Sequence, residues 1–241
     1  TIIRKLPAVE TFGSTTVICS DKTGTLTENA MTVRHVMAGG QVYEVEGVGY
    51  APTGRILRDG TPVDAAGERA LAECLLAGLL CNESQVVEKD GRTKVEGDPT
   101  EGALIISARK AGFDFATAVA ERPRLDVVPF ESQRMFMATL NRIGDHNTLY
   151  VKGSAERILD ACVNAMDPSG NTTALDAASV RSRIEEMSRD GLRVLAFAAR
   201  PIAAERKEIT PADAERELTL LGLQAMIDPP RSEAIRAVGE C

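Results

Sequence analysis

The chain has 241 residues, 44% of them hydrophobic and 26% charged, enough for one or two domains with a real core. Its 28 Lys and Arg against 35 Asp and Glu give a net charge of −7, which makes nucleic acid a poor partner, and no apolar run approaches the roughly 18 residues that span a bilayer. The five cysteines lie far apart without a CxxC pair, and two histidines leave almost no ligands for a structural zinc, so the thiols read as reduced and cytosolic.

Residues 1–5 lack the apolar centre of a signal peptide and no initiator Met is present, as expected of a piece of something longer. The β-branched run 15–19 predicts a buried strand of a parallel sheet, with Asp21 just past its carboxyl end, where open α/β sheets collect chemistry. From about Val33 the pattern changes. Residues 41–46 alternate with period two, as a half-exposed antiparallel strand does, and the Gly/Pro-rich stretch 47–54 ends it.

Residues 68–81 have helical spacing, with Leu71, Cys74, Leu75, Gly78 and Leu79 on one face. The segment 98–111 predicts a helix with Asp98 at the N-cap, Pro99 at the first position, Glu101 at the capping-box position and Gly112 at a left-handed exit. Runs 135–140 and 149–152 flank a polar turn at 144–147 and predict a hairpin, after which Ser154 caps a helix to about Cys162. A helix over 176–190 turns Val180, Ile184 and Met187 inward and stops at Gly191; strands follow at 193–199 and 220–227. Buried strands at both ends with mixed helix and antiparallel sheet between them outline one domain inserted into another.

In Asp21-Lys22-Thr23-Gly24-Thr25-Leu26-Thr27, a carboxylate that is ionised at neutral pH can attack a γ-phosphorus once cations mask the phosphate charge. Gly24 lets backbone N–H groups approach phosphoryl oxygens, and Lys22 and the threonines add donors. The string resembles the phosphorylation signature of P-type ATPases, ion pumps that pass through an aspartyl phosphate. Thr23 stands where related phosphatases of the haloacid dehalogenase superfamily carry a second Asp as general acid/base. Threonine cannot shuttle that proton, so the acyl phosphate should outlast the transfer step.

Downstream strings resemble the cation-pump branch in order. Residues 49–54 look like a turn of its nucleotide-binding domain. In Gly97-Asp98-Pro99-Thr100-Glu101, the resemblance implies that Glu101 contacts adenine; the residues alone allow a capping box. In Pro129-Phe130-Glu131-Ser132-Gln133-Arg134, it implies that Phe130 stacks on adenine with Arg134 in the pocket, against core packing for Phe130. Met135 departs from the family, which often has Lys there. Lys152-Gly153-Ser154-Ala155-Glu156 resembles the KGAPE string, so Lys152 meets the nucleotide and Gly153 lets it approach the backbone, against a solvated lysine. Arg193 resembles an Arg near the ATP phosphates, against a surface Arg on an edge strand. Asp228-Pro229-Pro230-Arg231 resembles the hinge into the phosphorylation domain, stiffened by two prolines. Gly144-Asp145-His146 reads as a turn.

The resemblance implies an α+β fold, a twisted antiparallel sheet flanked by helices, with terminal fragments of an α/β Rossmann-like phosphorylation domain of the haloacid dehalogenase type. Residues 1–32 would be the N-terminal part of that domain, 33–225 the nucleotide-binding domain, and 226–241 the hinge and the start of the second part of the phosphorylation domain. It implies ATP and Mg2+ as cofactors, Mg2+ meeting Asp21 and Thr23. The other parts of the same pump would be partners, in a cytoplasmic domain of a membrane protein that itself makes no membrane contact. The family's later TGD and GDGxND strings do not occur in these 241 residues, so the chain alone is expected to bind ATP without hydrolysing it. Two alternatives are a free-standing phosphohydrolase of the haloacid dehalogenase type, opposed by Thr23, and a non-catalytic interaction module.

Overall fold

Alternation along the strands sorts apolar residues onto two faces of one sheet, and helices cover both. The computed structural model of the protein describes residues 16–89 and 92–240. The strands are β1 (Thr32–Ala38), β2 (Gln41–Val45), β3 (Ile56–Arg58), β4 (Thr61–Pro62), β5 (Gln85–Lys89), β6 (Arg92–Glu96), β7 (Arg124–Glu131), β8 (Phe136–Ile143), β9 (His146–Ser154), β10 (Cys162–Met166), β11 (Thr172–Ala174), β12 (Arg193–Ile202) and β13 (Leu218–Ile227). The helices are α1 (Arg69–Leu80), α2 (Pro99–Lys110), α3 (Phe115–Glu121), α4 (Ala155–Ala161), α5 (Ala177–Arg189) and α6 (Ser232–Glu240).

The main sheet runs β4-β3-β2-β1-β13-β12-β9-β8-β7, with β10 and β11 branching from β13. Every pairing is antiparallel except β10 with β13. The β5–β6 hairpin stands apart. Leu195 and Phe197 of β12 join the core built on α1 and α2; Ala196 and Ala198 join the core built on α4 and α5. Because both faces are covered, β13 reads as a nearly unbroken apolar run, a pattern more usual in parallel sheets. It is therefore not a flanking strand, as its place near the end of the chain suggests, but the middle of the antiparallel sheet. Its one fully buried polar side chain is Gln224, which accepts from the Ser107 hydroxyl at 3.0 Å and donates to the Cys74 carbonyl at 3.2 Å.

The helix ends follow their local chemistry. Asp98 accepts from the Thr100 and Glu101 amides at 2.7 and 3.3 Å, Ser154 accepts from the Arg157 amide, and Gly112 and Gly191 adopt φ of 87° and 76°. One expectation fails: Glu101 does not close a capping box, because its carboxylate turns away from the Asp98 amide.

Of the strand expected at 15–19, Thr15 lies outside the described residues. Residues 16–19 form no strand; Val17 and Ile18 are 72% and 76% exposed. No neighbouring strand among the described residues is available to pair with them, and a lone strand leaves its backbone groups unpaired. Where the chain enters and leaves the sheet the two crossings meet. The Glu28 amide donates to the Pro229 carbonyl at 3.0 Å and the Arg231 amide to the Leu26 carbonyl at 2.8 Å. No helix of the described residues is long and apolar enough to cross a membrane.

Candidate functional site

A cavity of about 610 Å3 opens between the first turn of α2, the turn joining β7 to β8, the end of β9 and the start of β12. Glu101, Phe130, Met135, Lys152, Gly153 and Arg193 all line it. Five of these are residues that the sequence singles out for a nucleotide, and they arrive from four separate elements.

Lys152 sits near the end of β9 with its side chain only 7% exposed, and its Nζ meets Glu101 Oε1 at 2.5 Å. A solvated surface lysine is thereby excluded. Glu101 is also nearly covered. Burial pulls its carboxyl up, but the Lys152 ammonium and hydrogen bonds from Lys152, the Glu83 amide and Ser84 outweigh this and hold it below the ordinary carboxylate value. Phe130, by contrast, is 54% exposed, so it is not core filler. Arg193 is exposed, but β12 lies between β9 and β13, so it starts a central strand and not an edge.

Gly153 has a packing reason beside the one its motif suggests. A Cβ there would fall 2.4 Å from the Met135 carbonyl oxygen and 2.9 Å from the Phe136 Cα, so the close approach of β9 to the β7–β8 turn already demands glycine. Met135 itself has φ of 58° and is 45% exposed. Arg134 is not among the lining residues. Its guanidinium pairs with Glu131 at 2.7 Å, leaving its Nε buried without a partner among the described residues.

Asp21, Lys22 and Thr23 are exposed and line no part of this cavity. Gly24 has φ of 74°, as a left-handed turn needs, and its amide donates to the Thr27 hydroxyl at 3.2 Å. Among the described residues no group of three or more His, Cys, Asp or Glu side chains is placed to hold a metal ion.

Sequence reasoning passes over Glu83 and Ser84 and reads Asp98 only as a helix cap, yet all three also line the cavity. The available signal is the polar string Asn82-Glu83-Ser84 directly after an apolar helix: Asn82 and Ser84 are 3% and 4% exposed. Polar side chains buried at a helix exit must be hydrogen-bonded, and here they organise the first turn of α2.

Residues 70–233 match the family model described as P-type ATPase, cytoplasmic domain N. The whole chain is 50% identical to the cation-transporting ATPase pma1 of Synechocystis sp., covering 27% of that protein. It is 38% identical over its full length to a calcium-transporting ATPase of Bacillus subtilis, again 27% of that protein. Against the calcium-transporting ATPase type 2C member 1 of Pongo abelii it is 36% identical over 98% of the chain and 24% of the relative. The chain thus spans about a quarter of the length of the curated relatives it matches.

Proposed function

Because the chain belongs to the P-type ATPase family, matching its cytoplasmic domain N, we propose that residues 33–225 are the nucleotide-binding domain of a cation pump and that the cavity beside Lys152 holds ATP. The observation that carries this reading is the buried Lys152–Glu101 pair in a cavity of about 610 Å3 whose wall also presents a half-exposed Phe130. The volume suits a nucleotide-sized ligand. Stacking a purine on Phe130 would take both apolar faces out of water. Glu101 accepts and Lys152 donates, so together they suit the polar edge of a base. Arg193, at the exposed start of β12, supplies a cation for the phosphates, and Arg134 follows Phe130 in the β7–β8 turn.

In the whole pump, Asp21 would take the γ-phosphoryl group, with Lys22 beside it and Mg2+ meeting Asp21 and Thr23. Mg2+ retains waters and shares phosphate oxygens, so the remaining ligands would come from ATP and from parts of the pump outside these residues. Residues 1–32 and 226–241 would belong to the phosphorylation domain. The partners of this segment are ATP and the phosphorylation, actuator and transmembrane parts of the same pump, which couples ATP hydrolysis to cation transport. The segment works on the cytoplasmic side without touching the membrane.

Titration of the chain with ATP, followed by side-chain NMR, tests the reading. Saturable shifts at Phe130 and Lys152 are expected, with affinity about five- to 150-fold weaker in a folded Phe130→Ala variant. Unchanged affinity in that variant would overturn it.

A further inference from the structure

Glu101 is the third residue of α2, counted from the N-cap Asp98, the position from which a carboxylate ordinarily returns to the N-cap amide. Here the Asp98 amide donates instead to Ser84 Oγ at 2.9 Å, and the Ser84 hydroxyl donates onward to Glu101 Oε2, also at 2.9 Å. The Glu83 amide reaches the same oxygen at 3.0 Å, which leaves Oε1 to Lys152. Ser84 is held in turn: its amide donates to Asn82 Oδ1 at 2.9 Å, and Asn82 Nδ2 donates to the Gly78 and Glu101 carbonyls at 3.1 and 3.0 Å. Gly97 leaves room for this arrangement. A Cβ at that position would lie 2.3 Å from Ser84 Oγ.

We propose that Ser84 is a positioning residue for the nucleotide base: it takes over the capping of the Asp98 amide and so frees the Glu101 carboxylate and aims it at the cavity. The inference rests on the ATP reading for the identity of the ligand. A carboxylate fixed at this wall accepts hydrogen bonds only, so it favours a base edge that donates, such as the 6-amino group of adenine, over the 6-oxo group of hypoxanthine. Without the Ser84 hydroxyl, the Asp98 amide is an orphan donor at a helix N-terminus, and Glu101 is the acceptor within reach. The carboxylate then swings back to close an ordinary capping box and leaves the base without its acceptor.

The test compares ATP with inosine triphosphate on wild type and Ser84→Ala by calorimetry, beside a crystal structure of nucleotide-free Ser84→Ala. The wild-type preference for ATP should fall about tenfold, with inosine triphosphate little changed, and Glu101 should lie on the Asp98 amide. An equal loss for both nucleotides, an unchanged preference, or a carboxylate still on Lys152 overturns the proposal. If Ser84→Ala does not fold, Ser84→Cys, of nearly the same shape but a weak donor, carries the same comparison. If the wild type binds neither nucleotide, the ATP reading falls, and the crystal structure alone decides the role of Ser84.

Discussion

The Thr27 hydroxyl donates to Asp228 Oδ2 at 2.5 Å across 201 residues of sequence, and the other oxygen of Asp228 accepts from the Ala30 amide at 3.2 Å. One carboxylate thus ties the chain where it enters the sheet to the chain where it leaves. Thr27 and Asp228 come from the two motifs that sequence reading places on either side of an inserted domain, and the structure joins them. Asp228→Ala should cost about 1–3 kcal/mol of stability, since it leaves a partly buried hydroxyl and amide unpaired. Faster hydrogen exchange at Glu28 and Ala30, with β12 still protected, would locate the effect at the crossing. Exchange unchanged at both amides would refute it.

Lys152 cannot be removed as a simple ligand contact. Its side chain is 7% exposed and that of Glu101 15%, so Lys152→Met strands a nearly buried carboxylate. The variant should lose about 2–4 kcal/mol at pH 7. The sign with pH follows from Glu101: its folded pKa is depressed, so the pair's stabilisation is present above the ordinary carboxylate value and fades as pH falls through the depressed one. Urea unfolding at pH 7 and at a series of pH values below the ordinary carboxylate range checks this. A penalty that does not shrink on acidification would mean that packing of the lysine stem matters and the charge does not.

Asp213 offers a cleaner acid titration. It accepts from Arg206 at 2.5 and 2.7 Å, from Arg200 at 3.2 Å, and from the Thr210 amide and hydroxyl at 2.8 and 2.9 Å. Burial alone would raise its pKa, but these bonds bring it down to about 2 from 3.8. The depressed value means stability present above pH 3.8 and lost as pH falls through about 2. Asp213→Asn should therefore lose about 1–2 kcal/mol at pH 7, allowing for screening at the half-exposed Arg206, and little at pH 2. A wild-type advantage constant over that range would contradict the assignment.

Helix boundaries are readable in this sequence because they depend on near neighbours: Asp98, Pro99 and Gly112 bound α2, and Ser154 starts α4. The cavity residues are readable only where a motif names them, as Glu101, Phe130 and Lys152 do. What escapes is pairing at a distance. Residues 220–227 look like a flanking strand because nothing local shows that their neighbours are β1 and β12. The packing that demands glycine at 153 escapes too, because the Met135 carbonyl that crowds it belongs to the distant β7–β8 turn. Ser84 is silent because the Asp98 amide and the Glu101 carboxylate, which its hydroxyl joins, lie 14 and 17 residues away.

Met135 lines the cavity in a left-handed conformation, at φ of 58°, that its side chain disfavours. Met135→Gly should stabilise the fold by up to about 1 kcal/mol by relieving that strain. Met135→Lys keeps the strain and adds a cation at the cavity wall, so it should tighten ATP more than adenosine. Calorimetry with both ligands separates the effects; equal tightening would rule out a phosphate contact.

The 241-residue chain on its own should bind ATP and yet leave Asp21 unmodified. Transfer to Asp21 requires the nucleophile, the γ-phosphate and Mg2+ in line, with donors fixed around the transferring group. Asp21, Lys22 and Thr23 are exposed and outside the cavity, and the Gly24 amide, a natural phosphoryl donor, is engaged by Thr27. The Asp228 carboxylate, joined to the same segment, already accepts from Thr27 and Ala30. The nucleotide domain would also have to swing about residues 228–231 to bring its phosphates to Asp21, and closure of this kind needs a complete surface to close upon. Incubation with γ-labelled ATP and Mg2+ should leave no acid-stable, hydroxylamine-sensitive label on the protein. Label that forms, and is lost in Asp21→Asn, would show that these residues suffice for transfer and that the donors around Asp21 rearrange when nucleotide binds.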